Sequence, residues 1–109
     1  QAQIEVGLAL NPETPNTMIE PWINAVDLIL FLGVHPGRSG QEFIPEVLGK
    51  IKSLRQNFPN VKIGIDGGVR LENIKDLKNA GTDVFVIGSG ILKSQNIAAA
   101  IDEFKSKIL

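Results

Sequence analysis

The sequence predicts an α/β fold built on a parallel sheet. Three observations lead there. Short β-branched runs alternate four times with stretches of helical apolar spacing, and a loop rich in Gly or Pro follows each run. The second run, Leu28-Ile29-Leu30-Phe31-Leu32-Gly33-Val34, is continuously apolar rather than alternating, which suits a parallel strand covered on both faces. Right-handed crossovers between such units leave two architectures, an open doubly wound sheet or half of an eightfold (β/α)8 TIM barrel.

The first strand is expected over Ile4–Leu10, closed by Asn11-Pro12. Thr14 is placed to cap a helix whose first turn accepts Pro15, since that position needs no N–H donor. Met18, Trp22 and Val26 recur at i, i+4 and i+8, which predicts one buried face, and Pro21 predicts a kinked or two-part helix. After the second strand comes the polar loop His35-Pro36-Gly37-Arg38-Ser39-Gly40-Gln41. A helix then opens near Pro45, turning Leu48, Ile51, Leu54 and Phe58 inward and Lys50, Lys52 and Arg55 to solvent. The third strand, Val61–Ile65, runs into Asp66-Gly67-Gly68. The next helix presents Leu71, Ile74 and Leu77, and Gly81 is expected to stop it in a left-handed conformation. The fourth strand, Val84–Ile87, ends in Gly88-Ser89-Gly90. Ser94 is expected to cap a last helix with an Ile97, Ile101, Phe104, Ile108 stripe. No linker or low-complexity segment interrupts residues 1–109, which read as one domain.

The 109 residues carry 11 Lys+Arg against 12 Asp+Glu, a formal net charge of −1, so nucleic acid and anionic membrane are disfavoured as partners. No apolar stretch approaches the ~20 residues of a membrane span, and no signal-peptide layout opens the chain, so a cytoplasmic setting is expected. With no Cys, disulfides and thiolate metal sites are excluded. The first residue is Gln1 inside a strand-like run, and the chain is expected to be a piece of something longer.

In either architecture ligands bind at the C-terminal ends of the strands, which makes Asn11, the 35–41 loop, Asp66-Gly67-Gly68 and Gly88-Ser89-Gly90 candidates. Asp27 and Asp83 precede their strands and belong to the opposite, stability face. Glycines in three loops on one rim let backbone N–H groups approach a phosphate, although tight βα turns need glycine anyway. The chain has no Gly-Lys-Ser/Thr P-loop, and no Gly-x-Gly-x-x-Gly opens its first helix. Asp66 alone among the carboxylates follows a strand directly on that rim. A general base, a ligand for a hard cation and a carboxylate capping its own Asp-Gly turn all fit it. His35 fits proton transfer, metal binding or plain solvation, and Arg38 a phosphate or nothing specific. Gln41 and Asn11 suit hydrogen bonding to a ligand or within the loops, and Met18 and Trp22 are expected in the core.

The segments Gly7–Pro15, Val34–Pro45, Ile65-Asp66-Gly67-Gly68-Val69 and Gly88-Ser89 together resemble the ribulose-phosphate 3-epimerase family in order and spacing. The resemblance covers the family's C-terminal half and implies strands five to eight of a TIM barrel, a fold of about 200 residues or more. It further implies metal-dependent interconversion of D-ribulose 5-phosphate and D-xylulose 5-phosphate through an enediolate, a step of the pentose phosphate pathway and carbohydrate metabolism. Asp66 would serve as one acid-base group and as a metal ligand. Ser39, Gly40, Gln41, Gly67, Gly68, Gly88 and Ser89 would grip the phosphate.

The family's second aspartate, two metal-binding histidines and substrate-contacting serine belong to the N-terminal half. A divalent ion of the Zn, Fe, Mn or Co class is therefore expected only in a complete site, and the isolated chain is expected to be inactive. His35 stands where the family often carries Asn, Leu32 where it usually carries Met, and Arg38-Ser39 where Phe-Gly is common. The expected partners are a sugar phosphate and a second half-barrel, either the N-terminal half or another copy of this chain. The other readings are a sugar-phosphate-binding module without chemistry and a self-assembling half-barrel, whose two open strand edges and apolar inner face recruit a partner.

Overall fold

The computed structural model describes residues 3–37 and 41–109. Strands β1 (Gly7–Leu10), β2 (Leu28–Leu32), β3 (Ile63–Asp66) and β4 (Val84–Val86) form one parallel sheet in sequence order. Helices α1 (Glu46–Asn57), α2 (Ile74–Ala80), α3 (Ser89–Leu92) and α4 (Ile97–Ile108) follow the last three strands. β1 and β2 are joined instead by two 3-10 segments, Asn16–Met18 and Glu20–Ala25.

The register aligns Leu8 with Ile29 and Ile63, and Leu10 with Phe31, Ile65 and Phe85. Because strand side chains alternate, these residues share one face. Ile29, Phe31, Ile63 and Ile65 on that face are fully buried. They pack with Val47, Ile51, Leu54, Ile74 and Leu77 from α1 and α2 in one core. Burying each such side chain contributes about 1.5–3 kcal/mol, so this face dominates the stability of the chain. α1 packs on α2 and α2 on α4, a single helical layer.

The opposite face is different. It carries Ala9, Leu30, Leu32, Gly64, Asp66, Val84 and Val86; Leu30 and Leu32 are half-buried, and Ala9 and Val86 are exposed. A doubly wound sheet covers both faces with helices. Cover on one face only is the arrangement of half a TIM barrel, so the expectation that β2 is covered twice holds for its helical side alone.

Several local expectations are corrected. β1 starts at Gly7 rather than Ile4: Gly7 opposite Leu28 is the first ladder pair, and Val6 before it is held by Asp27, whose side chain takes the Val6 N–H. Met18 (64% exposed) and Trp22 (59%) lie outside the core; Ile19 and Ile23, one position on, are the buried pair. Pro15 and Pro21 keep this stretch in short 3-10 turns, so the α-helical phase assigned to it does not apply. Thr14 caps nothing, since Pro15 stands at the N-cap position without a side-chain cap. α4 is capped by Asn96, whose Oδ1 accepts from Ala99 N at 3.1 Å, while Ser94 Oγ closes the turn before it by accepting from Asn96 N. On α4 Phe104 is buried, Ile108 is half-buried, and Ile97 and Ile101 are exposed.

Gly81 does end α2, at φ +120°, with its N–H on Lys78 O. At the N-terminal end of the sheet, Asp27 Oδ2 accepts from Val6 N (2.7 Å) and Asp83 Oδ2 from Ile63 N (3.0 Å), as their place on the stability face predicts. Lys50 and Arg55, expected in solvent, are half-buried and bonded to backbone carbonyls.

Candidate functional site at the C-terminal rim

β3 ends at Asp66, whose carbonyl accepts from Gly33 N at 2.8 Å and so ties the ends of β2 and β3 together. The register sets Asp66 between Leu32 and Val86 on the sheet's open face. Its side chain is half-buried, and among the described residues its carboxylate has no hydrogen-bond or ion-pair partner. The reading in which it caps its own turn therefore finds no bond to support it. What remains is an unengaged carboxylate at the mouth of the open face.

The next two residues turn the chain sharply. Gly68 has φ +77°, and a Cβ there would stand 2.8 Å from Phe43 Cα; a Cβ on Gly67, at φ +99°, would stand 2.7 Å from Val34 Cγ2. Only glycine meets both conditions, so packing alone accounts for this pair. Asn73 fixes the turn by donating from Nδ2 to Gly68 O (2.9 Å) and accepting from Arg70 N at Oδ1 (2.8 Å). Gly88 is exposed, and its carbonyl accepts from Ile91 N and Leu92 N.

The loop after β2 is joined to the loop after β1. His35 Nδ1 lies 2.8 Å from Glu13 Oε1, and Gln41 Nε2 donates to His35 O at 2.7 Å. Lys50 Nζ donates to the carbonyls of Asn11, Pro12 and Thr14 at 2.5–3.1 Å and lies 5.7 Å from the centre of the Phe31 ring. Burial lowers the Lys50 pKa, with the Glu13 carboxylate opposing.

Of the residues expected in the site, Asn11, His35, Gln41, Asp66, Gly67, Gly68 and Gly88 lie on one rim, at the C-terminal ends of parallel strands. Arg38, Ser39, Gly40 and the side chain of Ser89 lie outside the described residues. Glu13, Phe43, Lys50 and Asn73 were missed. The i to i+3 spacing of Arg70 and Asn73 is a local signal that could have found the last; the others act across long sequence separations.

Among the described residues no group of three or more His, Asp or Glu is placed to hold a metal ion. Asp66 supplies one carboxylate, and a protein metal centre needs several ligands. The residues present do not fit a complete metal site. A groove of about 330 Å³ between the 69–72 turn and α4 includes Arg70, Asn96 and Glu103 but not Asp66. Among the described residues no helix is long and apolar enough to cross a membrane.

The profile of the Ribulose-phosphate 3 epimerase family matches residues 1–92. A ribulose-phosphate 3-epimerase of Buchnera aphidicola subsp. Baizongia pistaciae is 43% identical over 105 residues, covering 93% of this chain and 46% of that protein. That of Escherichia coli (strain K12) is 35% identical over 108 residues, covering 95% and 48%. The chain thus spans about half the length of the curated relatives it matches. Among solved structures, KGPDC from Streptococcus mutans superposes with a TM-score of 0.75 at 20% identity, covering 95% of this chain and 48% of that one. A 3-hexulose-6-phosphate synthase gives 0.56 at 16% identity, covering 94% and 62%. These two likenesses support the half-barrel fold. The profile match runs from β1 through α3, across every strand and every rim loop, and the chain belongs to the ribulose-phosphate 3-epimerase family.

Proposed function

We propose that this chain is the C-terminal half of an epimerase acting on a pentulose 5-phosphate, and that it supplies the phosphate grip and one of two acid-base groups. The observation that carries the reading is the unengaged Asp66 carboxylate on the open face, directly before Gly67-Gly68, in a chain of this family. Epimerisation moves a proton off C3 and returns one on the other side. The pair left in the substrate spreads into the neighbouring carbonyl as an enediolate, so each face of the carbon needs its own acid-base group. Asp66 is fitted to serve one face. The backbone at Gly67, Gly68, Gly88 and Ser89, with Ser39, Gly40 and Gln41, is assigned to the phosphate, as barrel loops after strands seven and eight commonly are.

The second acid-base group and the remaining ligands of a divalent ion would come from a second half-barrel set against the exposed edges of β1 and β4. The relatives are about twice as long as this chain, which supports a preceding half as that partner. The test is a coupled assay of D-ribulose 5-phosphate conversion to D-xylulose 5-phosphate with Mn²⁺. The chain alone is expected to give no turnover. Joined to the N-terminal half of a relative it is expected to turn over, and Asp66→Asn is expected to lower that rate by at least about 10²-fold. Turnover by the chain alone, or full activity of Asp66→Asn in the joined enzyme, overturns the proposal.

A further inference from the structure

The geometry points to Lys50, Glu13 and His35 as a strap across the rim that positions the Gln41 carboxamide, a role that rests on the reading of the rim as a sugar-phosphate site. The strap starts on α1. Lys50 Nζ holds the carbonyls of Asn11, Pro12 and Thr14, and Asn16 Nδ2 donates to Lys50 O at 2.8 Å, so the turn after β1 is pinned to the helix from both sides. Thr14 N on Asn11 O (3.0 Å) closes that turn. The pinned turn presents Glu13, whose Oε1 meets His35 Nδ1 at 2.8 Å. A donor at Nδ1 facing a carboxylate fixes the ring's orientation and tautomer. The same residue's carbonyl then accepts from Gln41 Nε2 at 2.7 Å. The Lys50 and Glu13 contacts join segments distant in sequence, the Gln41 contact closes the loop after β2 on itself, and the series ends on a residue assigned to the ligand.

The exposure of the pair decides what it does. His35 and Glu13 keep 49% and 65% of their side-chain surface in water, and a contact so exposed contributes little to global stability. Its effect falls on the local orientation of the loop, where such a pair shifts populations about two- to fivefold. Glu13 and His35 are therefore positioning residues, and their loss should be visible at Gln41 without unfolding the sheet.

The experiment follows the Gln41 side-chain amide by ¹⁵N NMR in the chain and in Glu13→Ala and Glu13→Gln, with thermal melting as a stability control. Glu13→Ala is expected to shift the Gln41 carboxamide signals and speed their exchange about two- to fivefold, with the melting midpoint unchanged. Glu13→Gln, whose amide oxygen still accepts from Nδ1, is expected to restore them. Unchanged Gln41 signals in Glu13→Ala overturn the strap. A titration with D-ribulose 5-phosphate separates this inference from the functional reading. Signals that respond to Glu13→Ala in a chain that binds no sugar phosphate uphold the strap and sink the substrate assignment. Binding of equal strength in the chain and in Glu13→Ala overturns the positioning role.

Discussion

Replacing Arg55 with Lys keeps the charge and should still weaken the chain. The guanidinium reaches four acceptors at once: Gly81 O from Nε (3.1 Å) and Nη2 (2.7 Å), Pro59 O (2.8 Å) and Val61 O (2.7 Å) from Nη1, and Asp83 Oδ2 from Nη2 (2.6 Å). The bonds to Pro59 and Asp83 are exposed, so water replaces much of what they give, and an exposed pair is worth about 0.2–1 kcal/mol. Those to Gly81 and Val61 are partly buried, and each is worth about 1 kcal/mol net. A lysine ammonium is one point and lacks the planar fork; it serves one of these two carbonyls and leaves the other. The expected loss is about 1–2 kcal/mol for Arg55→Lys and about 2–3 kcal/mol for Arg55→Ala, which removes both carbonyl contacts and the stem packed on Gly81. Urea unfolding reads this as a lower midpoint with an unchanged m value. An Arg55→Lys midpoint equal to wild type would refute the argument, because charge rather than fork geometry would then hold the site. A double-mutant cycle with Asp83→Asn should return a coupling of no more than about 1 kcal/mol that shrinks in salt.

Three further outcomes are expected. Gly68→Ala, which puts a Cβ 2.8 Å from Phe43 Cα at φ +77°, should cost about 2–4 kcal/mol in urea unfolding, combining left-handed strain with overpacking. Trp22→Gln should change stability by no more than about 0.5 kcal/mol by the same measure, because the indole is largely exposed. The Lys50 pKa lies below its ordinary 10.5 in the folded chain, so the unfolded chain binds that proton more tightly. Lys50 therefore makes stability rise with pH between its folded value and 10.5 and fall as pH drops through the folded value. Midpoints measured across that range should show this slope in the wild type and lack it in Lys50→Met.

The sheet was legible because its signals are local. Each strand is a short apolar run before a loop rich in Gly or Pro, and Asp66 could be placed from its position at the end of such a run, as Gly81 could from the end of a helical stretch. The segment after β1 departs from the expectation because i, i+4 recurrence does not separate Met18 and Trp22 from Ile19 and Ile23. The chain here is two short 3-10 segments rather than one α-helix, and the pair it buries is Ile19 and Ile23. Ser94 was expected as the cap of α4; the cap is Asn96, two positions on, whose Oδ1 accepts from Ala99 N. Lys50 and Arg55 look like solvated helix charges, yet their acceptors lie up to 39 and 28 positions away in sequence. No local pattern encodes those contacts, and the Glu13–His35 pair escaped for the same reason.

Every strand in this sheet pairs with its neighbour in sequence, and paired positions lie about 20 to 35 residues apart. Closing each pairing is therefore a loop of modest entropy, and none waits for a distant part of the polypeptide. The chain is assembled like a file of dominoes, each unit templating the next. Parting such a file from the rest of a barrel costs only the pairings at its two outer strands, β1 and β4, and leaves those between them whole, which is why half a family's length can keep an unbroken helical core.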